Sequence, residues 1–240
     1  MTPLFLVLAG LAALAAGWLL MRRLGSGARV GRILAATPVV PVKRAIEMAS
    51  EGGQRYVGVG GRIDAREAFE DDAGRPLVLR RTRLELRRGS GWEAVEDRRE
   101  VAPFLIAGGL ESMAVDADGL DEGLVVVTRW SEGTAAEIPD RMPEGTAPAT
   151  PARLRVQQLS TIDHALVLGV PGIDPDRGPI LRPGLGRPLV LTTLEPAEAM
   201  RLLASGRRGA TIVISALLVG GLVAVGGGLV LAIASAVVSG

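Results

Sequence analysis

The sequence predicts an α+β membrane protein in which one transmembrane helix at each end flanks a β-rich soluble domain with short helices, folded as a small barrel or sandwich. Three observations lead to this class. Both ends of the chain are almost free of charge, and short β-forming runs fill the middle. The mean hydropathy is +0.32, although only 48% of the residues are hydrophobic. The apolar residues are therefore concentrated in the two ends.

The first apolar run occupies residues 3–21 and carries no charged side chain. At 1.5 Å per residue, a helix of this length spans ~28 Å, close to the thickness of the hydrocarbon core. Arg22 and Arg23 follow directly, so we assign 1–22 to the first transmembrane helix and 23–54 to a basic linker with a short helix. A cleaved signal peptide is the alternative, but signal peptides carry their basic residues before the apolar run.

The second apolar run occupies residues 210–238 and is assigned to a second transmembrane helix. A juxtamembrane helix is predicted over 193–208, and Arg207 and Arg208 lie at its end. Arginines that flank a membrane span stay on the cytoplasmic side. We therefore expect an inner-membrane protein of bacterial type, with the central domain cytoplasmic and both termini outside. The same arginines can bind lipid headgroups.

Small residues recur at every fourth position of the second span. This spacing places them on one face of a helix, where another helix can approach closely. We predict that the face packs on the first span, on another membrane protein or on a second copy of the chain. Accidental recurrence in a chain rich in Ala and Gly is the alternative. The face comprises Gly220, Ala224, Gly228 and Ala232, and the first span offers Ala9, Ala13 and Gly17.

The central segment, residues 55–192, has the pattern of a β domain. A turn is predicted around Gly74, and a hairpin turn over 89–91. Residues 131–152 are rich in Pro, Glu, Thr and Ala, and we expect them to form an exposed, mobile loop. A short helix over 41–53 precedes the strands, with Val42, Ala45, Ile46 and Ala49 on one face. Strands are predicted at 56–63, 77–88, 92–101, 113–115, 124–128, 154–159, 165–168 and 189–191.

The order of motifs resembles the GIDE family, whose domain is also called BAM, for "beside a membrane". The resemblance is carried by GRI at 61–63, DDAGRPLVLRRTRLE at 71–85, Trp92, PF at 103–104, VDADG at 115–119, ALVLG at 165–169 and TTLEPAEAMRLL before the last span. It implies a membrane-anchored interaction domain and gives structural weight to Gly61, Gly74, Trp92, Phe104 and Gly169.

Some members of this family are MULAN-type ubiquitin ligases, in which a zinc-binding RING follows the second span. The present chain stops at Gly240 and contains no Cys, so it resembles a prokaryotic-type member without a RING. Ligase activity is therefore not expected.

Composition excludes several kinds of catalytic and metal site. The absence of Cys excludes disulfides, Cys-ligated zinc and thiol nucleophiles. His164 is the sole imidazole, and we expect it at the surface without a catalytic partner. The acidic run of Asp116, Asp118, Asp121 and Glu122 lacks the spacing of a calcium-binding loop. We predict no catalytic, cofactor or metal site.

Charge patterning argues against nucleic acid as a partner. The net charge is only +1, and the basic run at 80–88 faces the acid-rich run at 93–100 across the predicted hairpin. Cross-strand ion pairs explain both runs. No aromatic side chains accompany the basic run as a stacking platform. The glycines at 58–61 do not open a helix, so close backbone packing is expected there rather than phosphate binding.

The function predicted from these features is that of a membrane-anchored interaction or scaffold protein, with a role in membrane or envelope quality control. Its expected partners are the lipid bilayer and another membrane protein or a second copy. Two alternatives stay open. An enzyme would require a pocket that gathers carboxylates or other catalytic groups. A small subunit of a membrane complex would act through the small-residue face of the second span.

Overall fold

The structure is a computed structural model that describes residues 2–52, 54–120, 123–205 and 208–239. In the terminal helices, the side chains at 2–3, 22–28, 204–205, 208–212, 214 and 232–239 lie outside this description. The chain divides into two compact units, Met1–Ala35 with Met200–Gly240, and Ala36–Ala199. Its helices are α1 (Thr2–Ala36), α2 (Val42–Ser50), α3 (Pro196–Ser205) and α4 (Arg208–Ser239).

Helix α1 contains an apolar segment, Leu4–Met21, that is long enough to cross a membrane. Its 18 residues have a mean hydropathy of 2.4, and only 11% of them are buried. The helix does not end at the arginines, as predicted, but continues to Ala36. The predicted linker is therefore helical over its first part, because Pro38 is the first residue after the span that forbids a helix.

Helices α1 and α4 contact each other through glycines. A Cβ atom built on Gly10 would lie 2.7 Å from the Gly221 carbonyl oxygen, and one on Gly17 would lie 3.1 Å from Leu218 Cδ2. Gly10 lies against Gly221 and Val225, whereas Gly17, further along α1, lies against Leu218, which comes earlier in α4. The two helices therefore run antiparallel. The absence of side chains at Gly10 and Gly221 lets the two backbones approach.

The contact face differs from the predicted face of small residues. Gly221 and Gly228 are buried, whereas Gly220 is exposed and a Cβ atom on it would meet nothing within 4 Å. Ala224 is half-buried, and the side chain of Ala232 lies outside the described residues. A four-residue repeat drifts by about 40° per step around a helix, so it leaves the contact, whereas alternating steps of three and four stay on it.

Helix α4 covers the whole of the second predicted span, residues 210–238. Among the described residues, however, α1 is the one helix long and apolar enough to cross a membrane; the apolar stretch of α4, Ser215–Leu231, is too short, so a second span is not supported. Side chains that point away from α1 are largely exposed, with Leu222 and Val223 each at 68%.

The second unit is built on two β-sheets. One sheet contains β1 (Val39–Val40), β2 (Val57–Asp64), β6 (Leu105–Gly108), β7 (Glu111–Val115), β8 (Leu124–Val125), β11 (His164–Asp174), β12 (Gly178–Arg182) and β13 (Val190–Thr192). The other contains β3 (Phe69–Glu70), β4 (Pro76–Arg88), β5 (Gly91–Val101), β9 (Arg129–Thr134) and β10 (Pro151–Ser160).

The first sheet closes into a small barrel, as predicted. Strands β2, β6, β7, β12 and β11 pair in that order, and β11 pairs with β2 to complete the ring. Short parallel additions of β1 to β2 and of β8 to β13 extend the sheet. The barrel interior is apolar, with Val59, Ile106 and Val167 fully buried. Closure removes the free edges that an open sheet would present.

Helix α2 packs on this barrel with the face predicted from its sequence. Val42, Ala45 and Ala49 are buried, and Met48 joins them.

Two barrel strands, β6 and β12, were not predicted. Strand β12 contains Pro179 and is followed by Pro183, and proline weakens any prediction of a strand.

The second sheet is organised around the long strand β4. It pairs with β5 in the predicted hairpin, whose turn contains Gly89 at φ 60°. The predicted cross-strand ion pairs are confirmed at the three positions Arg80–Glu100, Arg81–Asp97 and Arg88–Glu93. The first residues of β4, Leu77 to Leu79, are buried in the domain, and its later half extends away from them with alternating charged residues.

The segment predicted as a mobile loop, 131–152, contains regular structure at its two ends, whereas residues 142–150 form turns and irregular chain. Its first residues lie in β9 and its last in β10, and two short 3-10 helices lie between them at Ala135–Glu137 and Pro139–Arg141. Glu137 accepts a hydrogen bond from the Thr134 backbone N–H at 2.9 Å, and Arg141 pairs with Glu96 of β5. Composition did not predict the two 3-10 helices, because the cap at Glu137 and the ion pair of Arg141 depend on specific contacts.

The helix contact yields a prediction with a matched control. Gly221→Leu should lower the melting temperature of the detergent-solubilised chain, because the new side chain would collide with Gly10 and Leu14. Gly220→Leu, one residue away but facing open space, should leave it nearly unchanged. Thermal unfolding followed by circular dichroism measures both. Equal melting temperatures for the two variants would show that α1 and α4 do not pack in this way.

The barrel yields a second prediction. A Cβ atom on Gly61 would clash with the Ala107 carbonyl oxygen and lie 2.8 Å from Ile106 Cγ2. Gly61→Ala should therefore reduce the free energy of unfolding by about 1–3 kcal/mol. Gly60→Ala is the control, since its Cβ atom would meet nothing within 4 Å. Urea unfolding of both variants tests this, and a Gly61→Ala variant as stable as Gly60→Ala would contradict the close approach of β2 and β6.

Candidate interaction surfaces

One side of the second sheet collects charged and aromatic side chains from strands distant in sequence. Alternate residues of a strand point to the same side, and directly opposite residues of paired strands share that side. Arg155 of β10 lies opposite Arg83 of β4 and opposite Trp130 of β9. Arg153 lies opposite Glu85 in the neighbouring row. We call this surface the arginine–tryptophan face; it comprises Arg81, Arg83, Glu85, Trp130, Arg153 and Arg155.

The Glu85 carboxylate lies at the centre of this face and is almost fully buried, with its side chain 7% exposed. Arg153 donates two hydrogen bonds to Oε2, from Nε at 2.9 Å and from Nη2 at 2.5 Å. Arg83 Nε lies 3.4 Å from Oε1, and Arg155 Nη1 lies 3.7 Å from the same oxygen. One carboxylate therefore faces three guanidinium groups, which leaves a local excess of positive charge.

Trp92 supports the cluster from the neighbouring strand. The Arg153 guanidinium stacks on the Trp92 ring, 4.4 Å from its centroid. Stacking and the two hydrogen bonds to Glu85 fix Arg153 in place.

Arg81 is also committed to an internal partner. It donates two hydrogen bonds to the Asp97 carboxylate, from Nε at 2.9 Å and Nη2 at 2.8 Å. These bonds lower the pKa of Asp97 below its usual range, so the pair stays charged at neutral pH.

Arg83 and Arg155 form the longest ion pairs with Glu85 on this face. Their side chains are 45% and 44% exposed, and neither guanidinium donates a hydrogen bond to another described residue. Trp130 beside them is 64% exposed. Two adjoining hollows of about 250 and 80 Å³ lie over this part of the face and share Thr128 and Arg155 in their walls.

A second concave feature lies between α2, the chain after it and the turn that follows β12. This cleft has a volume of about 500 Å³ and is lined by apolar residues together with Arg44, Arg55 and Arg187. Its lining among the described residues contains no carboxylate or imidazole. At its edge Leu185 is 56% exposed and adopts φ 55°, a strained conformation for a residue with a side chain.

Tyr56 in the wall of this cleft has a structural role. Its hydroxyl lies 2.6 Å from the Pro188 carbonyl oxygen and 3.1 Å from that of Leu168, and can donate to either. Burial raises the pKa of Tyr56 to about 12, with a small opposing effect from Arg187 above its ring. The hydroxyl is therefore protonated at neutral pH and is not available as a general base.

The residues singled out by sequence motifs are dispersed through the domain rather than gathered at one site. Phe104 is buried in the core, and a Cβ atom on Gly169 would lie 2.8 Å from the Arg182 carbonyl oxygen. Gly74 adopts φ 71° in a turn capped by Asp71. Backbone hydrogen bonds from Arg75 and Ala73 to the Asp71 carboxylate help to lower its pKa.

The other predicted residues are placed as follows. His164 is exposed at the start of β11. Asp116 and Asp118 lie in and beside a 3-10 turn at Ala117–Gly119, whereas Asp121 and Glu122 lie outside the described residues. Among the described residues, no group of three or more His, Asp or Glu is arranged to hold a metal ion. Arg207 and the side chains of Arg22, Arg23 and Arg208 also lie outside the description.

Sequence reasoning missed the arginine–tryptophan face. The signal was the alternation of Arg153, Arg155 and Gln157 with apolar residues, which is the pattern of a strand with one charged side. Trp130 could not be joined to it, because the segment between them was predicted as a loop. No aromatic side chain accompanies the basic run at 80–88 in the sequence, but in the structure Trp130 lies on the same face as Arg83.

Comparison of the chain with family models, with curated proteins and with solved structures gives no match. The resemblance to the GIDE family therefore depends on the sequence motifs alone.

The burial of Glu85 leads to a stability prediction. Glu85→Gln should reduce the free energy of unfolding by about 2–4 kcal/mol, because three guanidinium groups would lose their shared counter-charge. Glu93→Gln is the control: its pair with Arg88 is more than half exposed, and its loss should cost less than about 1 kcal/mol. Urea unfolding of both variants measures the difference. Equal destabilisation would show that Glu85 is not the electrostatic centre of the sheet.

Proposed function

We propose that this chain is a membrane-anchored interaction or scaffold protein of the GIDE/BAM type, held in the inner membrane by α1 and α4. The observation that supports this proposal is the apolar helix Leu4–Met21, whose side chains are mostly exposed, packed through glycines on an equally apolar partner helix. Phe5 is 72% exposed on α1. Water is a poor solvent for such a surface, and lipid is a good one.

The glycine contact supports a second crossing by α4. Gly10 faces Gly221 and Val225, whereas Gly17 faces Leu217 and Leu218, so the helices are antiparallel. If α1 crosses the bilayer, a helix packed along it in the opposite direction crosses back. The exposed apolar side chains of α4, such as Leu222 and Val230, are then covered by lipid.

The flanking arginines support a cytoplasmic position for the β unit. Arg22 and Arg23 follow the first span, Arg207 and Arg208 precede the second, and neither outer end of the chain carries a basic side chain. Basic residues beside a span are retained on the cytoplasmic side, so both termini are proposed to lie outside. The same arginines would contact anionic headgroups.

The surfaces of the β unit favour binding over catalysis. The cleft beside α2 is lined by arginines, a tyrosine and apolar side chains, without a carboxylate or imidazole for proton transfer. The GIDE resemblance adds membrane or envelope quality control as the process. Ubiquitin ligase activity is not part of the proposal, since the chain contains no Cys for a RING.

A role as a small subunit of a membrane complex is the second candidate. It is favoured by the outer side of α4, where Gly220, Gly226 and Gly227 would each accept a Cβ atom without a contact within 4 Å. That open surface of small residues suits a partner's helix.

The anchored topology can be tested with the Cys-free chain. Single cysteines are introduced as Gly145→Cys and Ser239→Cys, and intact bacterial cells are treated with an impermeant maleimide. We expect labelling of Ser239→Cys alone, labelling of both after permeabilisation, and retention of the chain in membranes at alkaline pH. Labelling of Gly145→Cys in intact cells would invert the topology. An amino terminus cleaved after the first apolar run would identify a signal peptide instead.

A further inference from the structure

The arginine–tryptophan face has unused binding capacity at one place, between Arg83, Arg155 and Trp130. The two arginines lie directly opposite each other on paired strands, an arrangement in which like charges repel. Glu85 only partly offsets this repulsion, because Arg153 donates two hydrogen bonds to the carboxylate, while Arg83 and Arg155 form longer ion pairs with it, at 3.4 and 3.7 Å. The carboxylates of Asp97, opposite Arg83, and of Glu132, opposite Arg153, lie on the same side of the sheet, but each of the two guanidinium groups keeps donors for a further acceptor.

We propose that this part of the face binds a nucleoside monophosphate, with the phosphate between Arg83 and Arg155 and the base on Trp130. The proposal is independent of the membrane topology, since all the residues lie within the β unit.

Charge complementarity selects a phosphate monoester. Its second pKa is about 6, so it carries close to two negative charges at neutral pH, one for each of Arg83 and Arg155. A phosphodiester of a nucleic acid strand carries only one charge per unit. The planar guanidinium fork of arginine also binds phosphate through two donors at once, and Arg83 and Arg155 lie directly opposite each other on paired strands.

The neighbouring tryptophan supplies the second half of the recognition. Trp130 lies opposite Arg155 across the sheet, is 64% exposed, and its ring stacks on no described aromatic or cationic group. On the same sheet the Trp92 ring is already covered by Arg153. Trp130 is thus the open stacking surface beside Arg83 and Arg155, and the hollow of about 250 Å³ bounded by Trp130 and Arg155 is open to a base.

The experiment measures binding of adenosine monophosphate to the full chain in nanodiscs of neutral phosphatidylcholine, by isothermal titration calorimetry. We expect saturable binding below millimolar concentration, weakened by about tenfold or more in Trp130→Ala and by about a hundredfold in Arg83→Gln/Arg155→Gln. Arg88→Gln, a change on the same strand but on its other side, should bind like the unaltered chain. Adenosine and inorganic phosphate should each bind more weakly than the nucleotide.

The double variant is expected to fold, because removing two opposed positive charges relieves repulsion; an unchanged or raised melting temperature checks this. Three results would overturn the proposal: no saturable binding, equal binding by Arg83→Gln/Arg155→Gln and the unaltered chain, or tighter binding of an oligonucleotide without a terminal phosphate. The last result would assign the face to a nucleic acid strand instead.

Discussion

The β unit depends on two places where backbones meet without a side chain between them. Gly61 of β2 faces the carbonyl of Ala107 in β6, and Gly169 of β11 faces that of Arg182 in β12. A Cβ atom at either position would push neighbouring strands of the ring apart. Closure in turn creates the apolar interior that holds α2 and the base of β4, so the positions of both sheets follow from it.

Beyond the barrel, the later half of β4 is stabilised by apolar burial on one side and by ion pairs on the other. On one side lie Leu84 and Leu86, both almost fully buried, and the segment after β9 is joined to this part of the sheet by the Arg141–Glu96 pair. On the other side the buried Glu85 carboxylate holds Arg153 and organises the arginines around it. A buried charge is costly unless it is paired and hydrogen-bonded, and here the pairing leaves surplus positive charge at the surface. Stability and binding capacity thus share one carboxylate.

The unit formed by the terminal helices also depends on close backbone approach. Glycines bring α1 and α4 together, and the apolar side chains around the contact face outward. The face that packs follows alternating steps of three and four residues, which include Gly10, Gly17 and Gly221. The four-residue repeat visible in the sequence shares only part of that contact, because its direction rotates around the helix axis. Gly220 consequently stays open to another partner.

The sequence alone determined the features that arise from local periodicity: the apolar terminal helices, the α2 face, the turn at Gly74, and the β4–β5 hairpin with its ion pairs. These depend on residues close together along the chain. Tertiary structure decided which strands close the barrel, that residues 131–134 pair with β10, and that Arg83, Trp130 and Arg155 meet on one side of a sheet. Such contacts join residues far apart in the chain, and strand pairing rather than periodicity selects them.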